Sequence, residues 1–377
     1  MNMKTLIQSS FAALVIGFYF GLNSCEKKEN NDPDISDWEE LGGTNNSPFG
    51  SPIYSIAADQ AGNIYVGGGY AGDIAVWNGT GWGKLGNVSA SPFTGGVYWP
   101  ITVDGSGNVF ATGRINVPLA GPEYHIAKWE KSTNTWINLT TAGHPMFNNG
   151  LHSITTDAAG NVYAAVNLLN HPFKSGNFIT EWNGSKWSTL GDTIPPGDDV
   201  IIHVDLSGNL FAALGIPNGN FSAYVAQWNG SSWVELGGPN SADFGTGQIM
   251  SLTSDATGNI YAAGFFNKNN VINNVVKWDK NTNNWGFLTG IPVPYFANSI
   301  VADASGTIYA GGEFLDKDEK IYVAKWDGSS WSNVGNLNPN APIKAVCVDK
   351  NGRVYAGGDF TNGENKPYVA VYTGNSK

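Results

Sequence analysis

Chemistry has few places to start in a chain of 377 residues with five histidines and two cysteines. The histidines (His125, His144, His152, His171 and His203) fall at no spacing that suits a metal-ligand set. His203 lies in the apolar run Ile201-Ile202-His203-Val204, as a channel-lining residue or a satisfied core histidine. Carboxylates are more plentiful. Glu313, Asp316, Asp318, Glu319 and Asp359 form an acidic group that would either hold a cation or stay as solvated charge, and no Ca²⁺-loop motif accompanies them. Five phenylalanines, Phe49, Phe93, Phe147, Phe244 and Phe296, each stand 7 to 11 residues before a recurring aspartate. Rings so placed would give stacking platforms for sugars or apolar anchors for a protein, or else plug the seams between repeats. No residue reads as catalytic, cofactor-binding or metal-binding, and the sequence calls for no cofactor.

What positions these residues is a repeat. An Asp-x-x-Gly phrase occurs at Asp59, Asp104, Asp157, Asp205, Asp255, Asp303 and Asp349, at spacings of 45, 53, 48, 50, 48 and 46 residues. Each follows a short apolar run, and each glycine is followed by a polar, an aliphatic and an aromatic residue (Tyr65, Phe110, Tyr163, Phe211, Tyr261, Tyr309, Tyr355). Such a phrase is a β-hairpin turn, with aspartate accepting turn amides and glycine supplying a positive φ. Seven copies of one active site would be needed to use these aspartates as acid–base pairs, so they read as turn formers. A second hairpin follows, running from Trp77, Trp129, Trp182, Trp228, Trp278, Trp326 or Tyr372 to Trp82, Trp136, Trp187, Trp233, Trp285 or Trp331. An aliphatic residue lies three positions beyond each second Trp, as at Leu85 and Val334. Four strands per unit of about 50 residues make a propeller blade.

The last unit stops at Val371-Tyr372-Thr373-Gly374, short of its Trp-x-x-Leu strand. That strand stands at the other end, where Trp38-Glu39-Glu40-Leu41-Gly42 matches Trp233-Val234-Glu235-Leu236-Gly237. The expected fold is all-β: a seven-bladed β-propeller of four antiparallel strands per blade, its ring closed by the N-terminal strand around Trp38 joining the C-terminal blade. Closure removes the free edges of an open array. Strand parity puts the Asp-x-x-Gly and Trp-to-Trp turns on one uniform face. The opposite face carries loops of varied length, 12 residues from Tyr65 to Trp77 but 19 from Phe110 to Trp129, and ligands belong on varied loops. A second aromatic set, Tyr70, Phe266, Phe314 and Phe360, reads as repeat packing.

The pairs Gly67-Gly68, Gly311-Gly312 and Gly357-Gly358, with Thr133-Asn134-Thr135-Trp136 and Thr282-Asn283-Asn284-Trp285, resemble kelch repeats and the propeller of galactose oxidase. The Asp-x-x-Gly-Asn-aliphatic-Tyr turn is more similar to the NHL and streptogramin-lyase class. The resemblance covers residues 36–377 and implies a fold rather than a function. Galactose oxidase chemistry needs a cysteine crosslinked to a tyrosine beside copper-binding histidines. Cys347, within Val346-Cys347-Val348, does not suit that role and reads as a small core residue.

Residues 1–24 read as a lipoprotein signal peptide, with Lys4, an apolar stretch from Leu6 to Leu22 and Leu22-Asn23-Ser24-Cys25 resembling a bacterial lipobox. A plain secretory leader and a membrane span are the alternatives, and the stretch is short for a span. Lipid attached at Cys25 would leave Cys347 without a disulfide partner. Residues 25–35 form a polar tether, and 36–377 a single propeller. The net charge of −11 argues against nucleic acid or anionic lipid head groups as partners. These features lead to one expectation: a monomeric, lipid-anchored binding or scaffold propeller of the bacterial envelope, on the outer membrane, engaging a protein or carbohydrate through its varied loops. The membrane enters only through the anchor. The alternative is a propeller enzyme, a lyase or glycan-active, using the same face.

Overall fold

Each Asp-x-x-Gly phrase closes tightly because the aspartate satisfies the turn's own donors. In the computed structural model Asp59 Oδ1 accepts the amides of Ala61 and Asn63 at 2.8 and 2.9 Å. Its Oδ2 accepts Asn63 Nδ2 at 2.7 Å and the Tyr65 hydroxyl at 3.1 Å. Gly62 takes the positive φ that the turn requires, +89°. Asp255 and Asp349 repeat the pattern with Tyr261 and Tyr355. The structure describes residues 37–68, 74–86, 93, 100–117, 121–140, 151–168, 176–191, 200–216, 222–238, 244–291 and 295–374. The leader, Cys25 and the tether lie outside them.

The hairpins assemble into seven four-stranded antiparallel sheets, the blades of a propeller. The first strands, innermost in the ring, are Ile53–Ala58, Ile101–Val103, Leu151–Thr156, Ile201–Val204, Thr246–Ser254, Ala297–Ala302 and Ile343–Val348. Six blades use consecutive strands. The seventh draws on both ends of the chain: Trp38–Glu40 pairs with Ala370–Tyr372 in the register Trp38↔Tyr372, Glu39↔Val371, Glu40↔Ala370. The Leu41 amide continues the ladder to Val369 O at 2.8 Å.

One contact explains the Trp-x-x-Leu motif. The indole Nε1–H of each fourth-strand tryptophan donates to the carbonyl of the aliphatic residue ending the preceding blade. The pairs are Trp82 to Leu41, Trp136 to Leu85, Trp187 to Leu139, Trp233 to Leu190, Trp285 to Leu236 and Trp331 to Leu288, at 2.8 to 3.2 Å. Trp38 completes the circle, donating to Val334 O at 2.7 Å. The apolar cores straddle the seams too. Phe110, Ile126 and Leu139 of blade 2 pack with Leu151, Ile154 and Val162 of blade 3 in one cluster. Each blade therefore buries its faces only against its neighbours.

Candidate functional site

Among the described residues, sevenfold regularity breaks at the start of the first strands, on the varied face. Five first strands carry a β-bulge among the described residues, between Ile53 and Ser55, Leu151 and Ser153, Ile249 and Ser251, Ala297 and Ser299, and Ile343 and Ala345. The extra residue in each case stands five positions before the turn aspartate: Tyr54, His152, Met250, Asn298 and Lys344. A bulge releases one residue from the ladder and re-aims its side chain. All five line a cavity of about 420 Å³ at the central mouth of the ring, with Pro100 and Ile201 completing the circle from the two unbulged blades.

Two devices hold the bulges. The serine after the bulge ties its blade to the next: Ser55, Ser153, Ser251 and Ser299 Oγ accept the amides of Ile101, Ile202, Ile300 and Val346 at 3.1 to 3.2 Å. Opposite the bulge stands a glycine of the second strand in blades 1, 5, 6 and 7 (Gly68, Gly264, Gly312, Gly358), and Val166 in blade 3. A Cβ at Gly312 would meet Phe296 O at 2.1 Å, and one at Gly358 would meet Pro342 O at 2.2 Å. The second glycine of the Gly-Gly pair therefore makes room for the bulged backbone.

The mouth is chemically two-sided. Asn298, Lys344 and Tyr54, from the adjoining blades 6, 7 and 1, make a polar arc, while Ile201, Met250 and Leu252 from blades 4 and 5 make an apolar one. Lys344 Nζ lies 3.2 Å from Glu313 Oε1 and 3.8 Å from Asp359 Oδ2. Asn298 Nδ2 donates to Ile343 O at 2.9 Å, fixing the amide across the seam. Tyr54 is 43% exposed.

The described phenylalanines singled out from sequence do not line the mouth, and Phe49 lines another cavity of about 410 Å³ with Trp82. Phe93 and Phe244 are buried, and their rings pack edge-on against Trp136 and Trp285 at 6.0 and 4.9 Å. Phe49 does the same with Trp82 at 5.0 Å, half-buried, and Phe296 packs on Phe265 at 5.2 Å. Phe147 lies outside the described residues, as do Tyr70, His144 and His171. Phe49, Phe93 and Phe244 thus sit against fourth-strand tryptophans while Phe296 packs on Phe265, and the described aromatics most open on the varied face are Tyr54 and Tyr295. Phe266, Phe314 and Phe360 are fully buried repeat packing.

The acidic group is dismantled by its neighbours. Glu313 and Asp359 flank Lys344, and Asp316 caps its own loop by accepting the amides of Asp318 and Lys320 at 2.8 and 3.0 Å. No group of three or more metal-ligating side chains occurs among the described residues. His203 Nε2 lies 2.8 Å from Ser254 Oγ between blades 4 and 5, and desolvation lowers its pKa to about 4. His125 is a core residue beside Thr140 Oγ1 at 2.7 Å. Burial pushes the Cys347 thiol up to about 12, so it stays protonated and inert. The mouth residues escaped the sequence reading. Aligning the blades on their aspartates would have shown one position that varies freely beside a recurrent serine.

No family model and no curated protein matches the chain. Solved structures match in fold. Virginiamycin B lyase from Staphylococcus aureus aligns with a TM-score of 0.59 at 14% identity, covering 85% of this chain and 94% of that one. YCF48 from Cyanidioschyzon merolae aligns at 0.56 and 14%, covering 89% and 98%. The extracellular domain of a B. thetaiotaomicron protein described as a hybrid two-component system aligns at 0.57 and 12%, covering 85% of this chain and 38% of that one. At such identities the likeness defines a seven-bladed β-propeller and nothing finer.

Proposed function

We propose that this chain is a lipid-anchored envelope protein whose propeller binds a protein or glycan ligand over the central mouth of its varied face. One observation carries the reading: the same bulge, built five times, presents five chemically different side chains to one cavity. Packing alone gives no reason for that diversity, since the residues on either side keep their repeat roles. The propeller neighbours fit a binding role, one YCF48 structure being solved with a bound peptide. An enzyme on the same face is the weaker reading. Glu313 and Asp359 are both engaged by Lys344, which leaves neither of them a free acid–base partner. In this reading Cys25 carries the lipid, residues 25–35 serve as the tether, and the outer membrane is the proposed location.

The test is capture by the immobilised full chain from an envelope extract and from a glycan array. A captured ligand should be lost on Tyr54→Ala and kept on Leu206→Ser, which alters an 84%-exposed residue of the opposite face. The reverse pattern would overturn the assignment of the face. For the anchor, Cys25→Ser should move the protein from the membrane to the soluble fraction.

A further inference from the structure

The mouth also specifies what kind of ligand suits it. We infer that it is a site for a neutral saccharide, a deduction that rests on the binding role proposed above. Three features of the polar arc point there. First, Tyr54 lines the mouth and is 43% exposed, and the negative π surface of such a ring attracts the polarised C–H face of a sugar ring. It belongs to the blade whose loop from second-strand aromatic to third-strand Trp is shortest, 12 residues from Tyr65 to Trp77. Second, among the lining residues the Lys344 ammonium and the Asn298 amide, whose Oδ1 accepts while its Nδ2 donates to Ile343 O, put donors and an acceptor side by side. A hydroxyl both donates and accepts, so vicinal hydroxyls match such a group. Third, the cavity of about 420 Å³ falls within the roughly 300–1,000 Å³ range of small-ligand sites, enough to seat the end of an oligosaccharide.

Charge and backbone disfavour the alternatives. Among the described lining residues Lys344 is the one lysine or arginine, and two carboxylates already flank it, so an anionic ligand meets a net negative cluster on a chain of charge −11. A cationic ligand would have to compete with Lys344 for the same carboxylates. A peptide that binds by adding a strand gains its affinity from a free strand edge. At the mouth, the inner-edge amides of Ile101, Ile202, Ile300 and Val346 are already taken by serine hydroxyls.

Isothermal titration of the full chain in detergent decides the matter. The probes are neutral gluco-, manno-, galacto- and xylo-oligosaccharides, a galacturonate oligomer and a mixed peptide pool. One neutral oligosaccharide should bind, and Tyr54→Ala and Lys344→Met should each weaken it by roughly tenfold. Tyr54→Phe keeps the ring face and should stay within about threefold of the parent. Tyr54 is 43% exposed, so the Tyr54 variants should melt with the parent, while Lys344→Met, which removes a partly buried cation from Glu313 and Asp359, is read only where its melting temperature shows the fold intact. Preference for the galacturonate or the peptides overturns the saccharide inference and leaves the binding role standing. A neutral sugar whose binding ignores both substitutions overturns the assignment to the mouth. Silence across all probes and the earlier capture screen removes the binding role itself.

Discussion

His203 is the side chain whose protonation the fold opposes most directly. Desolvation between blades 4 and 5 lowers its pKa from 6.5 to about 4, outweighing the opposite pull of Asp205. Folding therefore favours neutral imidazole. Its contribution is complete above pH 6.5 and disappears as pH falls toward 4, roughly 3 kcal/mol in all. Asp59, Asp255 and Asp349 act lower on the scale. Desolvation works to raise their pKa values, but their hydrogen bonds outweigh it and leave them below 3.8. Their stabilisation is present above pH 3.8 and is lost as the carboxylates protonate beneath it. On the alkaline side, burial and Asp303 push Tyr309 up to about 12 from 10, so its stabilisation holds below pH 10 and fades between the two. Burial raises the Cys347 thiol from 9 to about 12 as well, so urea unfolding across pH should show a plateau from about 6.5 to 9. The acid limb between 6.5 and 4 should vanish in His203→Gln, and its persistence there would assign that limb to other groups.

Elements in this chain are set by contacts of two ranges, and only one range is legible in sequence. The Asp-x-x-Gly turns could be read because each aspartate bonds donors within six residues of itself, in copy after copy. The strands around Trp38 could be read because Trp38-Glu39-Glu40-Leu41 repeats a phrase found elsewhere in the chain. The bulges could not, since a one-residue slip in pairing leaves the alternation of a short strand looking ordinary. Distance along the chain likewise put Phe93 and Phe244 in loops without saying which way the rings turn, and the Trp seams took them. The Glu313–Lys344 pair joins residues 31 apart from different blades, which no local pattern reports. The Gly-Gly pairs, read as a family signature, prove to be the bulges' clearance. Gly312→Ala would drive a Cβ to 2.1 Å from Phe296 O, where neither backbone can yield cheaply. It should cost roughly 1–3 kcal/mol and, by flattening the bulge, displace Asn298 from the mouth. Thermal melting together with ligand titration checks both effects, and a variant of parental stability would show the bulge to be soft.

Across the whole molecule the ring stands or falls at the latch. Linking Trp38 to Val334, residues 296 apart, costs about 5 kcal/mol of loop entropy. A buried Trp of ~200 Å² recovers about the same amount as an upper figure. Trp38 is 5% exposed and Leu41 8%, so the two side chains together tip the balance toward closure. Trp38→Ala should cost roughly 3–5 kcal/mol. That cost has a ceiling, because a weakened latch opens and the ring regains its closure entropy. Once open, the ring has no further use for Leu41. Leu41→Ala should therefore destabilise the parent clearly but add little to Trp38→Ala, a non-additivity that a double-mutant cycle reads from denaturant midpoints. The open form also bares the edge of Ala370–Tyr372, so hydrogen exchange should lose protection there first, and the double variant should associate as its concentration rises. Full additivity, with exchange unchanged at Ala370–Tyr372, would mean that the strand merely decorates blade 7 and that the other six Trp-to-carbonyl links hold the ring without it.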